Sequence, residues 1–122
     1  MRLLTRLTLT LILPVLATLS ASTAQAATLT CSGTVTSVTA HADGSISIKP
    51  SWNSNVLQLC NAATVWKSVP LESCKRWHAQ ALLARSTRET MVVYYPSTAA
   101  ATTCGAIPAG SGADAPGYLT NQ

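Results

Sequence analysis

The stretch Val69-Pro-Leu-Glu-Ser-Cys-Lys-Arg-Trp-His-Ala-Gln-Ala-Leu-Leu-Ala-Arg85 decides the fold that the sequence predicts. It is the only stretch after residue 26 with a clear helical pattern, and short strands and turns are predicted on both sides of it. Pro70 suits the first turn of a helix, where its missing N–H is not needed. We expect Ser68 to be the N-cap and the helix to end between Arg85 and Arg88.

One face of this predicted helix is more apolar than the rest. Leu83 falls outside that face, and a single exposed leucine is ordinary. Several small alanines indicate that the helix lies close against its neighbours. Five of the six cations after residue 26 fall between Lys67 and Arg88, which we interpret as a solvated basic edge rather than a contact with an anionic partner. The predicted inward face consists of Leu71, Cys74, Trp77, His78, Ala81 and Leu82.

Residues 1–26 have the features of a signal peptide. Arg2 and Arg6 precede an apolar run from Leu7 to Leu19, and Ala24-Gln-Ala26 fits the small-x-small cleavage pattern. We therefore predict export to the periplasm or the extracellular space and a single domain over residues 27–122. A retained anchor is the alternative, but the run is short for a membrane-spanning helix of roughly 20 residues.

Strand patterns precede the helix. Thr28–Thr39 alternates apolar and polar residues, and Gly33 within it indicates a bulge or close backbone packing. Asp43-Gly44 favours a tight turn, so this strand and Ser45–Pro50 form a predicted hairpin. Val56–Cys60 is the third predicted strand.

More strand patterns follow the helix. Glu89–Tyr95 combines β-branched and aromatic residues and is the strongest strand pattern in the chain. Thr102–Ile107 is predicted as a short last strand. Residues 105–122 are rich in Gly, Ala, Ser and Pro, which predicts a flexible tail. Tyr118-Leu-Thr either pairs as an edge strand or frays.

The predicted fold is mainly β with one helix. A helix between the third and fourth strands is the order found in the OB-fold, a small five-stranded Greek-key barrel. The alternative is an open α+β sheet with the helix packed on one face. Both alternatives contain the same elements and differ only in whether the strands close into a barrel.

The four cysteines predict two disulfides, because an exported small domain has few other means of stabilising its core. Cys60 ends the third strand and Cys74 lies in the first turns of the helix, so we expect these two to pair. That leaves Cys31 with Cys104, which would tie the first strand to the last. Zinc is disfavoured, because structural zinc sites present closely spaced ligand pairs. No metal or cofactor is expected.

Enzymatic chemistry is not favoured by the sequence. The two histidines are His41, beside a predicted turn, and His78, on the helix. No serine lies in a Gly-x-Ser-x-Gly setting, and the four acidic residues are scattered. Removal of Arg2 and Arg6 would lower the net charge from +4 to +2, which is short of the dense basic stripe of a nucleic-acid-binding protein.

A binding role is the preferred interpretation. Trp52 and Trp66 lie in or near predicted loops, where an indole ring can stack on a sugar or anchor a partner. The alternative is that these rings cap a small aliphatic core. Adjacent Tyr94 and Tyr95 must point to opposite faces of their strand. The expected partner is a glycan or an envelope or host protein.

Three stretches carry a resemblance to a known family: Leu57-Gln-Leu-Cys60, Val69-Pro70 with Leu82-Leu-Ala84, and Thr90–Tyr95 before Cys104. From Thr30 to Cys104 the order of features resembles the B subunit of subtilase-type bacterial toxins. The resemblance implies an OB-fold, a homo-oligomeric ring of five subunits and binding to cell-surface glycans. It assigns no sugar-binding residue in this chain. The alternative is a monomeric periplasmic or secreted domain that binds or inhibits another protein.

Overall fold

The computed structural model describes residues 28–97 and 99–122, so the predicted signal peptide lies outside the described residues. The elements, in chain order, are β1 (Leu29–Gly33), β2 (Val35–Ala40), β3 (Ser45–Pro50), β4 (Leu57–Asn61), α1 (Leu71–Thr87), β5 (Met91–Tyr95), a 3₁₀ turn (Cys104–Ala106) and β6 (Tyr118–Asn121). Within the described ranges, no helix has the length and apolar character needed to cross a membrane.

The strands form two three-stranded antiparallel sheets, ordered β1-β5-β6 and β2-β3-β4. The single strand predicted over Thr28–Thr39 is divided at Thr34, so that its two halves serve different sheets. Gly33 permits close packing at this division. A Cβ atom there would lie 2.2 Å from Ser51 Oγ and 3.2 Å from Trp52 Cε3. Close backbone packing, one of the two reasons expected for this glycine, is therefore present.

A mainly β fold with one helix and two disulfides is confirmed, but a closed five-stranded barrel is not what the structure contains. There are six strands in the described part of the chain, and their hydrogen bonds leave the two sheets unjoined. The physical reason lies at β4, where Leu57 forms an isolated parallel bridge with Gly110. The Gly110 N–H donates to the Val56 carbonyl at 2.8 Å, so a loop residue occupies the position where closure would need a strand.

Side chains from both sheets meet in one hydrophobic core. Ile48 and Leu59 from one sheet and Val93 from the other are fully buried within it. Tyr95 is buried as well, and its neighbour Tyr94 lies on the opposite face of β5 and is only partly covered. The alternation predicted for these two tyrosines is therefore present.

Helix α1 buries a narrower and smaller face than the sequence predicts. Its buried residues are Cys74, Ala81 and Ala84, whereas Leu82, predicted to face inward, is 45% exposed. The disulfide of Cys74 with Cys60 holds that side of the helix toward the core, and Ala81 and Ala84 lie on the same side. Small side chains there let the helix backbone approach the sheets closely.

The helix termini also differ from prediction. Pro70 is the N-cap residue and no side chain caps the helix, so Ser68 does not have the predicted role. Instead Ser68 adopts φ 67°, in the left-handed region, within the turn that precedes the helix. The helix ends at Thr87, and Arg88 takes a left-handed conformation with φ 61°. A residue in this conformation directly after the last turn is a common way to end a helix.

The C-terminal segment, residues 105–122, is packed against the domain, whereas its composition predicts a flexible tail. Asn53 Nδ2 donates to the carbonyls of Cys104 and Ile107 at 2.9 and 3.0 Å, and these bonds hold a 3₁₀ turn where a short strand was predicted. Ile107 and Ala113 are fully buried, and β6 pairs with β5. Composition predicts flexibility from small residues, but here small residues allow the segment to pack closely on the domain.

The disulfides join Cys60 to Cys74 and Cys31 to Cys104, the pairing expected from the order of elements. The first ties β4 to the first turns of α1, with Cα atoms 5.4 Å apart. The second ties β1 to the 3₁₀ turn, with Cα atoms 5.7 Å apart. The Cys31–Cys104 bridge therefore connects elements that are distant in sequence, and the Cys60–Cys74 bridge connects two consecutive elements.

Candidate ligand-binding site

A cavity of about 580 Å³ opens beside the first turns of α1, and we call it the helix-end cavity. Four segments build it: the turn before the helix, the first turns of the helix, the loop after β5 and the loop before β6. Its lining residues are Lys67, Ser68, Val69, Pro70, Ser73, Trp77, Pro96, Ala99, Asp114, Ala115, Pro116 and Gly117. Pockets of this volume are large enough to hold a small ligand.

The turn Trp66–Val69 forms one wall. The Val69 N–H donates to the Trp66 carbonyl at 2.8 Å, and the two residues between them, Lys67 and Ser68, have φ 45° and 67°. Residues other than glycine rarely adopt such angles, and strained backbone of this kind is concentrated at functional sites. The Lys67 ammonium lies 4.9 Å from the centroid of the Trp66 ring and donates to the Ala113 carbonyl. These contacts fix the turn against the loop before β6.

Asp114, in the loop before β6, provides an acceptor among the lining residues. Its side chain is almost fully buried, and its Oδ1 and Oδ2 atoms accept the N–H groups of Ala100 and Ala101 at 2.9 and 3.1 Å. An ionised carboxylate has about four acceptor positions. Two backbone bonds therefore orient the carboxylate and leave it capacity to accept from hydroxyl groups of a ligand.

The side chain of Tyr95 is buried and does not line the cavity. Burial raises the pKa of the Tyr95 hydroxyl, and the negative charge of Asp114 raises it further. The hydroxyl therefore stays protonated to a higher pH than the hydroxyl of a tyrosine in an unfolded chain.

Helix α1 contributes Ser73 and Trp77 to the cavity. They are four residues apart, so they lie on the same side of the helix. Both are partly buried and both line the cavity. Trp77 therefore offers apolar ring surface next to the serine hydroxyl.

A pair of tyrosines lies next to the cavity. Tyr94 on β5 and Tyr118 on β6 stack on the solvent face of their sheet, with ring centroids 4.8 Å apart. Gly117 borders both features, since it lines the cavity and its N–H donates to the Tyr94 carbonyl at 2.8 Å. A Cβ atom at Gly117 would lie 3.0 Å from Tyr94 Cδ1, so the absence of a side chain makes room for the tyrosine ring.

The two tryptophans singled out from the sequence lie elsewhere. Trp52 is partly buried and packs near Gly33, away from the helix-end cavity. Trp66 begins the turn that forms one wall, but its own side chain is not among the lining residues. The structure does not bring Trp52 and Trp66 together in this cavity, and their role in binding stays a prediction.

The sequence does not identify Asp114 and Trp77, the two residues on which the site depends most, as binding residues. The sequence predicts Trp77 on the inward face of the helix and Asp114 in a flexible tail. The signal available for Asp114 was its position as a lone acidic residue in a stretch of small residues. No comparable signal marked Trp77, because a partly buried aromatic residue on a helix is ordinary.

Within residues 28–97 and 99–122, no group of three His, Cys, Asp or Glu side chains is placed to hold a metal ion. Comparison of the chain with protein-family models, with curated proteins and with solved structures gives no match.

Proposed function

We propose that the protein is a small exported, non-enzymatic binding module that holds a glycan in the helix-end cavity. Sugars present hydroxyl groups together with apolar C–H faces. They are therefore suited to a site that combines oriented hydrogen-bonding groups with aromatic surface. The observation that carries the proposal is the position of the Asp114 carboxylate and the Trp77 ring in one cavity.

The neighbouring tyrosines extend this argument. Tyr94 and Tyr118 place two stacked rings beside the cavity, and Tyr118 is half exposed. A glycan longer than one sugar could occupy the cavity with one unit and lie across the exposed ring with the next. Ser68 and Ser73 supply hydroxyl groups at the cavity wall.

The non-enzymatic part of the proposal rests on the ionisable groups of the cavity. Among its described lining residues, Asp114 is the acidic residue and Lys67 is the basic residue. Lys67 already donates to the Ala113 carbonyl, and two backbone N–H groups fix the Asp114 carboxylate. Both groups are therefore engaged in holding the cavity together, which suits binding better than proton transfer.

A glycan array followed by calorimetry tests the proposal. We expect the purified protein to bind a defined glycan class and Asp114→Asn to weaken that binding by about tenfold or more, because a hydrogen bond to a charged group contributes about 1.5–3 kcal/mol. Asp43→Asn is the matched control, since it removes the same charge from a turn outside the cavity. Absence of glycan binding, or equal loss in the two variants, would reject the proposal.

The toxin-like architecture is a separate proposal. Only Thr34 separates β1 from β2, so one nearly continuous strand passes from one sheet to the other, as expected of a strand that curves around an OB-like barrel. In a ring of five subunits, α1 would supply the contact surface, since Leu82 and Leu83 are 45% and 52% exposed. Light scattering distinguishes a ring from the alternative, a monomeric domain that binds or inhibits another protein.

A further inference from the structure

A second cavity, of about 360 Å³, lies between the last turn of α1 and the start of β2. Its lining shares no residue with the helix-end cavity. We call it the arginine cleft, and its lining residues are Thr34, Val35, Thr36, Arg85 and Arg88.

The strand side of the arginine cleft is irregular and fixed. The register between β2 and β3 shifts between Val35 and Ser37, so Thr36 is the extra residue of a β-bulge. Such bulges are frequent next to functional sites, where they change the direction of a side chain. The Thr36 hydroxyl donates to the Lys49 carbonyl at 3.0 Å, and the Thr34 N–H donates to a neighbouring serine hydroxyl at 3.0 Å. The side chain of Thr36 and the backbone of Thr34 are therefore held in place.

The helix side carries two positive charges. Arg85 lies in the last turn of α1, and Arg88 follows that turn in the left-handed conformation. The one ion pair within the described ranges joins Lys75 to Glu72, so neither guanidinium of the cleft lies within ion-pair distance of a described carboxylate. Glu89 is the nearest acid in sequence, and it too makes no ion pair there.

We propose that the arginine cleft binds an oxyanion, a carboxylate, sulfate or phosphate group of a ligand, through the guanidinium groups of Arg85 and Arg88. A guanidinium presents a planar fork of N–H donors that matches two oxygens of an oxyanion. A bound anion offsets the repulsion between the two positive charges that line the cleft. Val35 supplies an apolar floor between the two threonines. The inference does not depend on glycan binding in the helix-end cavity.

Nuclear magnetic resonance titration of the purified protein tests the arginine cleft, with sodium sulfate and sodium acetate as probes and sodium chloride holding the ionic strength constant. We expect saturable shifts of the Thr34 and Thr36 amides and of the Arg85 and Arg88 side chains. Saturation by sulfate alone identifies a tetrahedral oxyanion, and saturation by acetate as well identifies a site open to carboxylates. Linear shifts with both probes would overturn the proposal.

Two double variants separate a site from a general charge effect. R85Q/R88N removes both guanidinium groups, and asparagine suits the left-handed position at Arg88. We expect it to weaken anion binding by about tenfold or more. K75Q/R76Q removes the same charge from the first half of the same helix and should leave the affinity unchanged. Equal weakening in both variants, with circular dichroism showing both folded, would contradict a specific cleft.

Discussion

Tyr94 and Tyr118 lie opposite each other on β5 and β6, and their rings stack with centroids 4.8 Å apart and planes 9° apart. The next residue, Tyr95, points into the core and is buried. The stacked pair therefore lies on the solvent face and joins the last strand to its neighbour. The same pair places exposed aromatic surface beside the helix-end cavity.

Tyr118→Ala should lower the free energy of unfolding by about 0.5–1.5 kcal/mol, because the stacked pair is lost from a short terminal strand. Urea denaturation measures the change. Tyr118→Phe keeps the ring and removes the hydroxyl, so we expect it to retain most of the stability. If the phenylalanine variant is as unstable as the alanine variant, stacking is not what holds β6.

Ala81→Leu should destabilise the protein by about 1–3 kcal/mol, because Ala81 is fully buried where α1 approaches the sheets and a larger side chain has no room. Ala79→Leu is the matched control on the exposed side of the same helix, and its effect should stay within about 0.5 kcal/mol. Thermal melts followed by circular dichroism compare the two. Equal losses would mean that the small residues do not reflect close packing.

The elements of this fold could be predicted largely from local patterns. The Asp43-Gly44 turn, the Glu89–Tyr95 strand and the helix each depend on neighbouring residues. The orientation of the helix could not be predicted in the same way. Leu82 is more apolar than Ala84, yet Ala84 is buried and Leu82 is nearly half exposed. The deciding factor is the limited space between the helix and the sheets, which favours the small side chains of Ala81 and Ala84 and is not a local property of the sequence.

The candidate site was harder to predict than the fold. Asp114 and Trp77 are 37 positions apart in the printed sequence, and the contact between their segments depends on packing of the loop before β6. The composition of that loop predicts a flexible tail. The hydrogen bonds that hold it join groups far apart in sequence, such as the Ala100 N–H with the Asp114 carboxylate and the Lys67 ammonium with the Ala113 carbonyl. The composition of the loop does not reveal such partners.

Loss of the Cys31–Cys104 bridge should cost more stability than loss of the Cys60–Cys74 bridge. The sequence separations are 73 and 14 residues, so the first restricts a much longer loop in the unfolded chain. In the chain-entropy account the difference is about 1.4 kcal/mol. Urea denaturation of the two double cysteine-to-alanine variants measures it. The reverse order would show that native packing around Cys60 and Cys74, rather than chain entropy, dominates.

Stability should decline at alkaline pH through Tyr95. Burial raises the pKa of its hydroxyl above the value of about 10 found in an unfolded chain. The folded state therefore keeps a proton that the unfolded state releases. The contribution of Tyr95 to the free energy of unfolding is complete below about pH 10 and is lost as the pH rises further. The free energy of unfolding of Tyr95→Phe should decline less steeply with rising pH than that of the natural protein. The free energy of unfolding of Tyr118→Phe should follow that of the natural protein. Urea denaturation at a series of alkaline pH values measures the slopes, and equal slopes for Tyr95→Phe and the natural protein would contradict this assignment.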